Sequence, residues 1–227
     1  QLLEICCSTL SEVQIACEKG AHRIELCSGM EFDGLTPSLD LIKDTIIICS
    51  QHGVKLVCML RCRGGNFIYT PLEMDNMLNT LSIWKREGLN LDGVVFGALS
   101  KSNPSSPDIN AVSRVVNCSA PWPVTFHKAI DYVSIDTKNI TTAAIRVIDE
   151  LYECGVRRIL TSGLHTTAEE GKDVLRDMQK HVTMMNINMS IVMAGGIRRH
   201  NIRPLVEYTG ITQIHSRSVG ILEVTFC

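Results

Sequence analysis

No stretch of this 227-residue chain holds about eighteen consecutive apolar residues, so no segment is long enough to cross a membrane as a helix. A basic tract is missing too: 22 Lys and Arg stand against 24 Asp and Glu, a formal net charge of −2, which argues against nucleic acid as a partner. Ten cysteines are present without one CxxC pair. Neither a disulfide framework nor a set of four zinc ligands at familiar spacing follows from them. No Gly-x-Gly-x-x-Gly motif follows the first predicted strand, which counts against a dinucleotide site, and no organic cofactor is evident. There is no internal linker, only a short Pro- and Ser-rich loop over Ser102–Pro107, so residues 1–227 read as a single domain. The composition, 45% hydrophobic and 20% charged, excludes disorder.

A chain of this size buries roughly three quarters of its unfolded surface and needs no covalent staple. The cysteines, at 6, 7, 17, 27, 49, 58, 62, 118, 154 and 227, therefore call for another explanation. Most lie inside apolar runs, where Cys behaves as a small hydrophobe. They read as reduced thiols of a cytosolic protein. Asn-x-Ser/Thr triplets beginning at Asn117, Asn139 and Asn188 do not by themselves imply secretion. Because the sequence opens on Gln1 and turns apolar almost at once, it reads as a fragment whose true start lies outside it.

What is present is a repeating grammar. Short β-branched runs at Leu3–Cys6, Arg23–Cys27, Lys55–Leu60, Gly93–Gly97, Pro123–His127, Arg158–Ser162, Ile191–Ala194 and Gln213–Ser216 alternate with segments of helical period. Thr9 with Glu12 and Thr70 with Glu73 form capping boxes, and Pro37 and Pro71 suit first helical positions. Gly20, Gly53, Gly88, Gly155 and Gly210 stand where helices end. Gly20–Gly29 and Gly155–Gly163 echo each other, each a cap, a strand and a Ser-Gly exit. Eight strands alternating with helices in this length predict a closed (β/α)8 TIM-type barrel rather than an open doubly wound sheet. After the eighth strand only Arg217–Cys227 remains, so the last helix is expected to be truncated.

Side-chain parity assigns Leu3, Ile5, Ile24 and Leu26 to the layer under the helices. Glu4, Cys6, Glu25 and Cys27 then face the barrel interior, where buried carboxylates need partners; Arg61 is one candidate. Cys6 and Cys27 end adjacent strands, so two thiolates could share one soft ion such as Cu(I), with Zn(II) competing poorly. The competing reading is that both cysteines merely fill the barrel mouth. Cys7 and Cys58 should face the helices, Cys17 and Cys154 read as helix packing, and Cys62 lies in a loop. The run Arg61-Cys62-Arg63-Gly64-Gly65 suits an oxyanion through guanidinium forks. His127 could act as general acid or base with Asp131 as its orienter and Glu25 as a second carboxyl; His215 competes for the imidazole role. Ser162, the Gly195-Gly196 pair and Ser216-Arg217 lie where such barrels often seat phosphate. The Met184–Met193 stretch reads as loop and strand packing.

Together, Leu3-Glu-Ile-Cys6, Arg23-Ile-Glu-Leu-Cys-Ser-Gly29, Thr36-Pro-Ser38, Arg61-x-Arg-Gly-Gly65, Asp92-Gly-Val-Val-Phe-Gly-Ala98, Val124-Thr-Phe-His127, Leu160-Thr-Ser-Gly163 and Ala194-Gly-Gly-Ile197 resemble the copper homeostasis protein CutC family nearly end to end. The resemblance implies a cytosolic barrel that handles copper, with Cys6 and Cys27 at the family's strand-end cysteine positions. The chain departs from the pattern at Cys62 in place of proline, Lys128 in place of arginine, Ile130 in place of phenylalanine, and in a Gly195-Gly196 loop one residue short. Two functions remain open: Cu(I) binding at Cys6 and Cys27, with the copper ion as partner, and acid-base chemistry on a small anionic or phosphorylated substrate. The chain could act alone or as a homo-oligomer.

Overall fold

The computed structural model describes residues 1–133 and 140–223. Asn139 and Cys227 lie outside the described residues. Eight parallel strands close on themselves in chain order, with the first strand paired to both the second and the last. They are β1 (Leu2–Cys7), β2 (Arg23–Leu26), β3 (Lys55–Met59), β4 (Gly93–Phe96), β5 (Val124–Phe126), β6 (Arg158–Thr161), β7 (Ser190–Met193) and β8 (Gln213–Ser216). Between them run α1 (Leu10–Glu18), α2 (Leu39–His52), α3 (Pro71–Arg86), α4 (Ile109–Ser119), α5 (Ile140–Glu153), α6 (Lys172–Met184) and α7 (Ile202–Thr209). A short 3-10 turn, Val219–Glu223, stands among the described residues where an eighth helix would follow.

Local chemistry fixes the helix starts. Both capping boxes form: Thr9 accepts from the Glu12 amide while Glu12 reaches back to Thr9, and Thr70 and Glu73 repeat the exchange ahead of Pro71. The second helix differs from expectation. Ser38 is its N-cap, accepting from the Leu41 amide, so Pro37 stands before the helix rather than in its first turn. A cap hydroxyl satisfies an orphan amide, a stronger local demand than the fixed φ of proline. Gly53 and Gly210 end α2 and α7 at φ 66° and 73°, where a β-carbon would be strained.

The main core lies between barrel and helices and includes Leu3, Ile5, Cys7, Ile24, Leu26 and Cys58, the predicted outward parity. Inside the barrel a separate apolar cluster of Cys27, Val57, Met59 and Val95 touches Cys6 and Met30. Met189 and Met193 are buried as packing residues, but Met184 and Met185 are exposed, because α6 extends to Met184 and ends at the surface. Among the described residues no helix is long and apolar enough to cross a membrane.

Gly97, just beyond β4, connects this framework to the mouth. A β-carbon there would collide with the His127 ring and come within 2.9 Å of the Ala129 β-carbon. Gly97→Ala is therefore expected to displace His127 and destabilise the fold by about 1–3 kcal/mol, the usual penalty of overpacking. Urea unfolding monitored by circular dichroism measures it, and an unchanged midpoint would refute the close approach.

Candidate functional site

Register brings the polar interior together. Glu4 pairs across from Arg23 and His215, and Cys6 from Glu25. The Glu4 carboxylate, fully buried, receives Arg158 at 2.8 Å, Arg23 at 3.4 Å and His215 Nδ1 at 2.9 Å. Arg158 also donates to Gln213 and Thr125, which closes a ring across β1, β2, β5, β6 and β8. Arg61, expected as a partner of the glutamates, is not among these contacts. Burial alone would raise the Glu4 carboxyl, but Arg158, His215 and Arg23 outweigh it and hold it well below the usual carboxylate range. His215 is raised: burial opposes its charge, yet the Glu25 and Glu4 carboxyls prevail.

Above this ring, at the C-terminal ends of the strands, opens a cavity of about 630 Å³. Its wall holds Cys6, Glu25, Met30, Arg61, His127 and His215, together with Gly195, Gly196, Ser216 and Arg217. The Cys6 and Cys27 sulfurs are 3.3 Å apart, and the Met30 thioether stands 3.1 Å from Cys27. Contact with Cys27, followed by burial and the charge of Glu25, pushes the Cys6 thiol well up. Glu25 is also raised, first by burial and then by Glu4, and its Oε2 is buried without a hydrogen bond. The ligand atoms of Cys6, Glu25 and His215 lie within 4.8 Å of one another. Every cysteine among the described residues is a free thiol, and Cys62 is exposed.

Several candidates are placed differently from the sequence expectation. The Arg61 guanidinium donates to the carbonyls of Phe32, Asp33, Gly34 and Gly65, fastening the loop after β2 to the exit of β3, so its fork does not face an anion. Arg63 is absent from the cavity wall; it pairs with Glu73 at the start of α3 and holds the carbonyls of Gly64, Asn66 and Ile68. The glycines after Arg63 expose carbonyls that take up both arginines. Asp131 does not orient His127. Its carboxylate accepts from the Thr161 hydroxyl, both the amide and hydroxyl of Ser162, and the Leu164 amide, beside a second cavity of about 430 Å³. Ser162 is thus committed to Asp131 and the His165 carbonyl rather than to the mouth. Ser216 donates to the Ile197 carbonyl and accepts from the Ser218 amide.

His127 is held by the turn that follows it: Nδ1 accepts from the Ala129 amide at 3.1 Å. Nε2 then carries the proton of the neutral ring, and it is buried without a partner. Burial and the nearby Arg61 charge push His127 down to about 3, so at neutral pH the ring is a hydrogen-bond donor rather than an acid. Reasoning from sequence missed Met30, Arg23 and Arg158. The inward parity of Arg23 and Arg158 at the starts of β2 and β6 was the available signal for the two arginines. Met30 lies in a 3-10 turn, Met30–Phe32, where no strand or helix period applies.

These features define a (β/α)8 barrel whose C-terminal mouth carries thiol, thioether, carboxyl and imidazole donors around one cavity. The profile of the CutC family matches residues 1–220. The copper homeostasis protein cutC homolog of Caenorhabditis elegans is 34% identical over 215 residues, covering 94% of this chain and 79% of that protein. The family protein CutC of Enterococcus faecalis is 30% identical over 218 residues, covering 95% of this chain and 98% of its own. A crystal structure of CutC from Streptococcus agalactiae superposes with a TM-score of 0.85 at 25% identity, covering 96% of this chain and 99% of that one. The chain belongs to the CutC family. Deoxyribose phosphate aldolase from Aeropyrum pernix, at 15% identity and a TM-score of 0.64 over 97% of this chain and 88% of that one, shares the fold alone.

The ring around Glu4 generates a prediction. Its depressed carboxyl contributes stability that is complete above the ordinary carboxylate pKa of about 4.5 and is lost as pH falls toward the depressed value. Arg158→Met leaves that buried carboxylate short of a cation, and breaking such a pair costs about 3–5 kcal/mol. The loss should be largest at pH 7 and shrink toward pH 4, where the variant's Glu4 is protonated. Urea midpoints at both pH values measure this, and a pH-independent loss would contradict it.

Proposed function

We propose that the protein is a cytosolic copper-handling protein that binds Cu(I) as cargo at the barrel mouth between Cys6 and Cys27. The observation that carries this reading is the 3.3 Å contact of two free thiols, one in β1 and one just past the end of β2. Soft sulfur donors suit Cu(I), which accepts two or three ligands where structural zinc requires four. Metal–thiolate bonds of about 2.3 Å in a linear site would hold the sulfurs about 4.6 Å apart, so binding must part the two thiols. The Met30 thioether, 3.1 Å from Cys27, supplies a third soft donor and favours a trigonal arrangement, which asks for less separation. Family membership and the name of the nematode relative support the same cargo.

A second reading, an enzyme acting on a small anionic substrate, is favoured by His127 Nε2 and Glu25 Oε2. Both are buried and unpartnered, in side chains that line one cavity. In that case His127 would donate a hydrogen bond to a substrate oxygen, while Glu25, raised by burial, would exchange a proton. Lys128 and Arg217 on the wall would supply positive charge toward the anion.

Anaerobic Cu(I) titration against a competing chelator tests the copper reading. Cys6→Ser and Cys27→Ser should each abolish tight binding to a similar degree, and Met30→Leu should weaken it less. Affinity should fall as acid competes for the thiolates, the more so because contact with Cys27 and burial raise the Cys6 thiol. Excess Zn(II) should displace little Cu(I). Undiminished affinity in both serine variants would move the copper site elsewhere and favour the enzyme reading.

A further inference from the structure

The same mouth presents a second donor set that the sulfur contacts do not use. Glu25 Oε2 is buried and has no hydrogen-bond partner, an uncommon state for a carboxylate oxygen inside a barrel. His215 stands beside it, with Nδ1 3.9 Å from that oxygen and 2.9 Å from Glu4 Oε1. With Nδ1 directed at Glu4, loss of the ring's second proton leaves the lone pair on Nε2, so a metal bound there displaces a proton that the two carboxyls favour. A carboxylate on the far nitrogen is the usual support of a metal-ligating histidine, fixing both tautomer and ring orientation. Cys6 completes the triangle: its sulfur, a Glu25 carboxylate oxygen and a ring nitrogen of His215 lie within 4.8 Å of one another, and all three side chains line the cavity.

We propose that Cys6, Glu25 and His215 form a binding site for a divalent cation of the Zn(II) class, distinct from the Cu(I) site and sharing only Cys6 with it, with a fourth position open to the cavity. The donors are one sulfur, one nitrogen and one oxygen, the borderline mixture that zinc accepts, whereas Cu(I) is served by the sulfurs of Cys27 and Met30 on the other side of Cys6. Charge balances, because a dication with one thiolate, one carboxylate and a neutral imidazole is neutral overall, as a buried site requires. The ligand count, three from the protein and one position left open, is that of zinc sites that bind water or substrate rather than of closed structural ones. Tetrahedral bonds of about 2.0–2.3 Å place ligand atoms roughly 3.3–3.8 Å apart, so side-chain rotation of about an ångström closes the site.

Because Cys6 belongs to both sets, the two metals bind one at a time, and Cu(I) evicts the divalent ion. This proposal does not require the copper reading to hold, and the variants separate the two. Co(II) serves as the probe, read by its thiolate-to-cobalt band in the near ultraviolet, with Zn(II) added to bleach that band. The folded wild-type chain should show the band, Cys27→Ser and Met30→Leu should keep it, and Cys6→Ser should lose it. Glu25→Gln, which preserves shape, should weaken Co(II) and Zn(II) by about 100-fold or more, at least the loss seen when only an outer-shell partner is removed. Its Cu(I) affinity should not fall, because the change removes a carboxyl charge that helps raise the Cys6 thiol. X-ray absorption on the zinc-loaded wild type provides a readout independent of any variant's folding: one sulfur and a remainder of nitrogen and oxygen donors is expected. Two or more sulfurs at zinc, loss of the cobalt band in Cys27→Ser, or wild-type Co(II) affinity in both Glu25→Gln and His215→Gln would overturn the proposal.

Discussion

A carboxylate with no access to water, Glu4, sits inside this barrel, and a ring of cations and hydrogen-bond partners keeps it charged. Glu4 cannot be ionised there without cations, and Arg158, Arg23 and His215 supply them from three other strands. Gln213 and Thr125 accept the guanidinium hydrogens that Glu4 leaves over, so the ring is satisfied except for Arg23 Nε. That arrangement sets the register of β1 against β2 and β8, and register places Cys6 opposite Glu25. It also turns the His215 ring, whose Nδ1 is engaged by Glu4. The chemistry of the mouth therefore rests on an ionic layer one step below it.

Cys6 occupies the boundary between two chemically different neighbourhoods. Toward Cys27 and Met30 it meets sulfur, packed against the apolar Val57, Met59 and Val95. Toward Glu25 and His215 it meets oxygen and nitrogen. Softness and charge sort ions between these sides, since a monovalent soft ion is poorly served by a carboxylate and a dication is poorly served by thioether. His127 stands apart from both, its Nδ1 engaged by the turn that follows β5 and its charge suppressed by burial and Arg61.

Period-two alternation in β1 and β2 correctly divides the helix-facing residues from Glu4, Cys6, Glu25 and Cys27, because a strand offers only two faces and one of them must meet the helices. The helix boundaries were legible where a cap had its reciprocal partner, as at Thr9 and Thr70, and misjudged at Pro37, where Ser38 competed for the same role. What sequence could not reveal was long-range pairing. Arg61 stood at the exit of β3 with inward parity, yet the loop carbonyls of Phe32, Asp33, Gly34 and Gly65 captured it. Arg158, 154 residues from Glu4, took its place. Asp131 looked like a partner for His127 by proximity in the chain, but the free amides at the exit of β6 were better donors for it. Met30 carried no periodic signal at all, because the turn that delivers it is neither strand nor helix.

The seam of the barrel has a consequence for how the protein comes into being. Glu4 and His215 are separated by 211 positions in the chain, and their strands meet only when the ring is closed. During synthesis the first two strands leave the ribosome carrying Cys6 and Cys27 long before β8 exists, with the Glu4 carboxylate still in water and no reason to fix the pleat. Contacts of such sequence separation form late, after the loop-closure entropy has been met. The nascent chain thus exposes two thiols without the cavity that defines them. Selection among ions is a property of the finished ring, acquired only when the last strand docks beside the first.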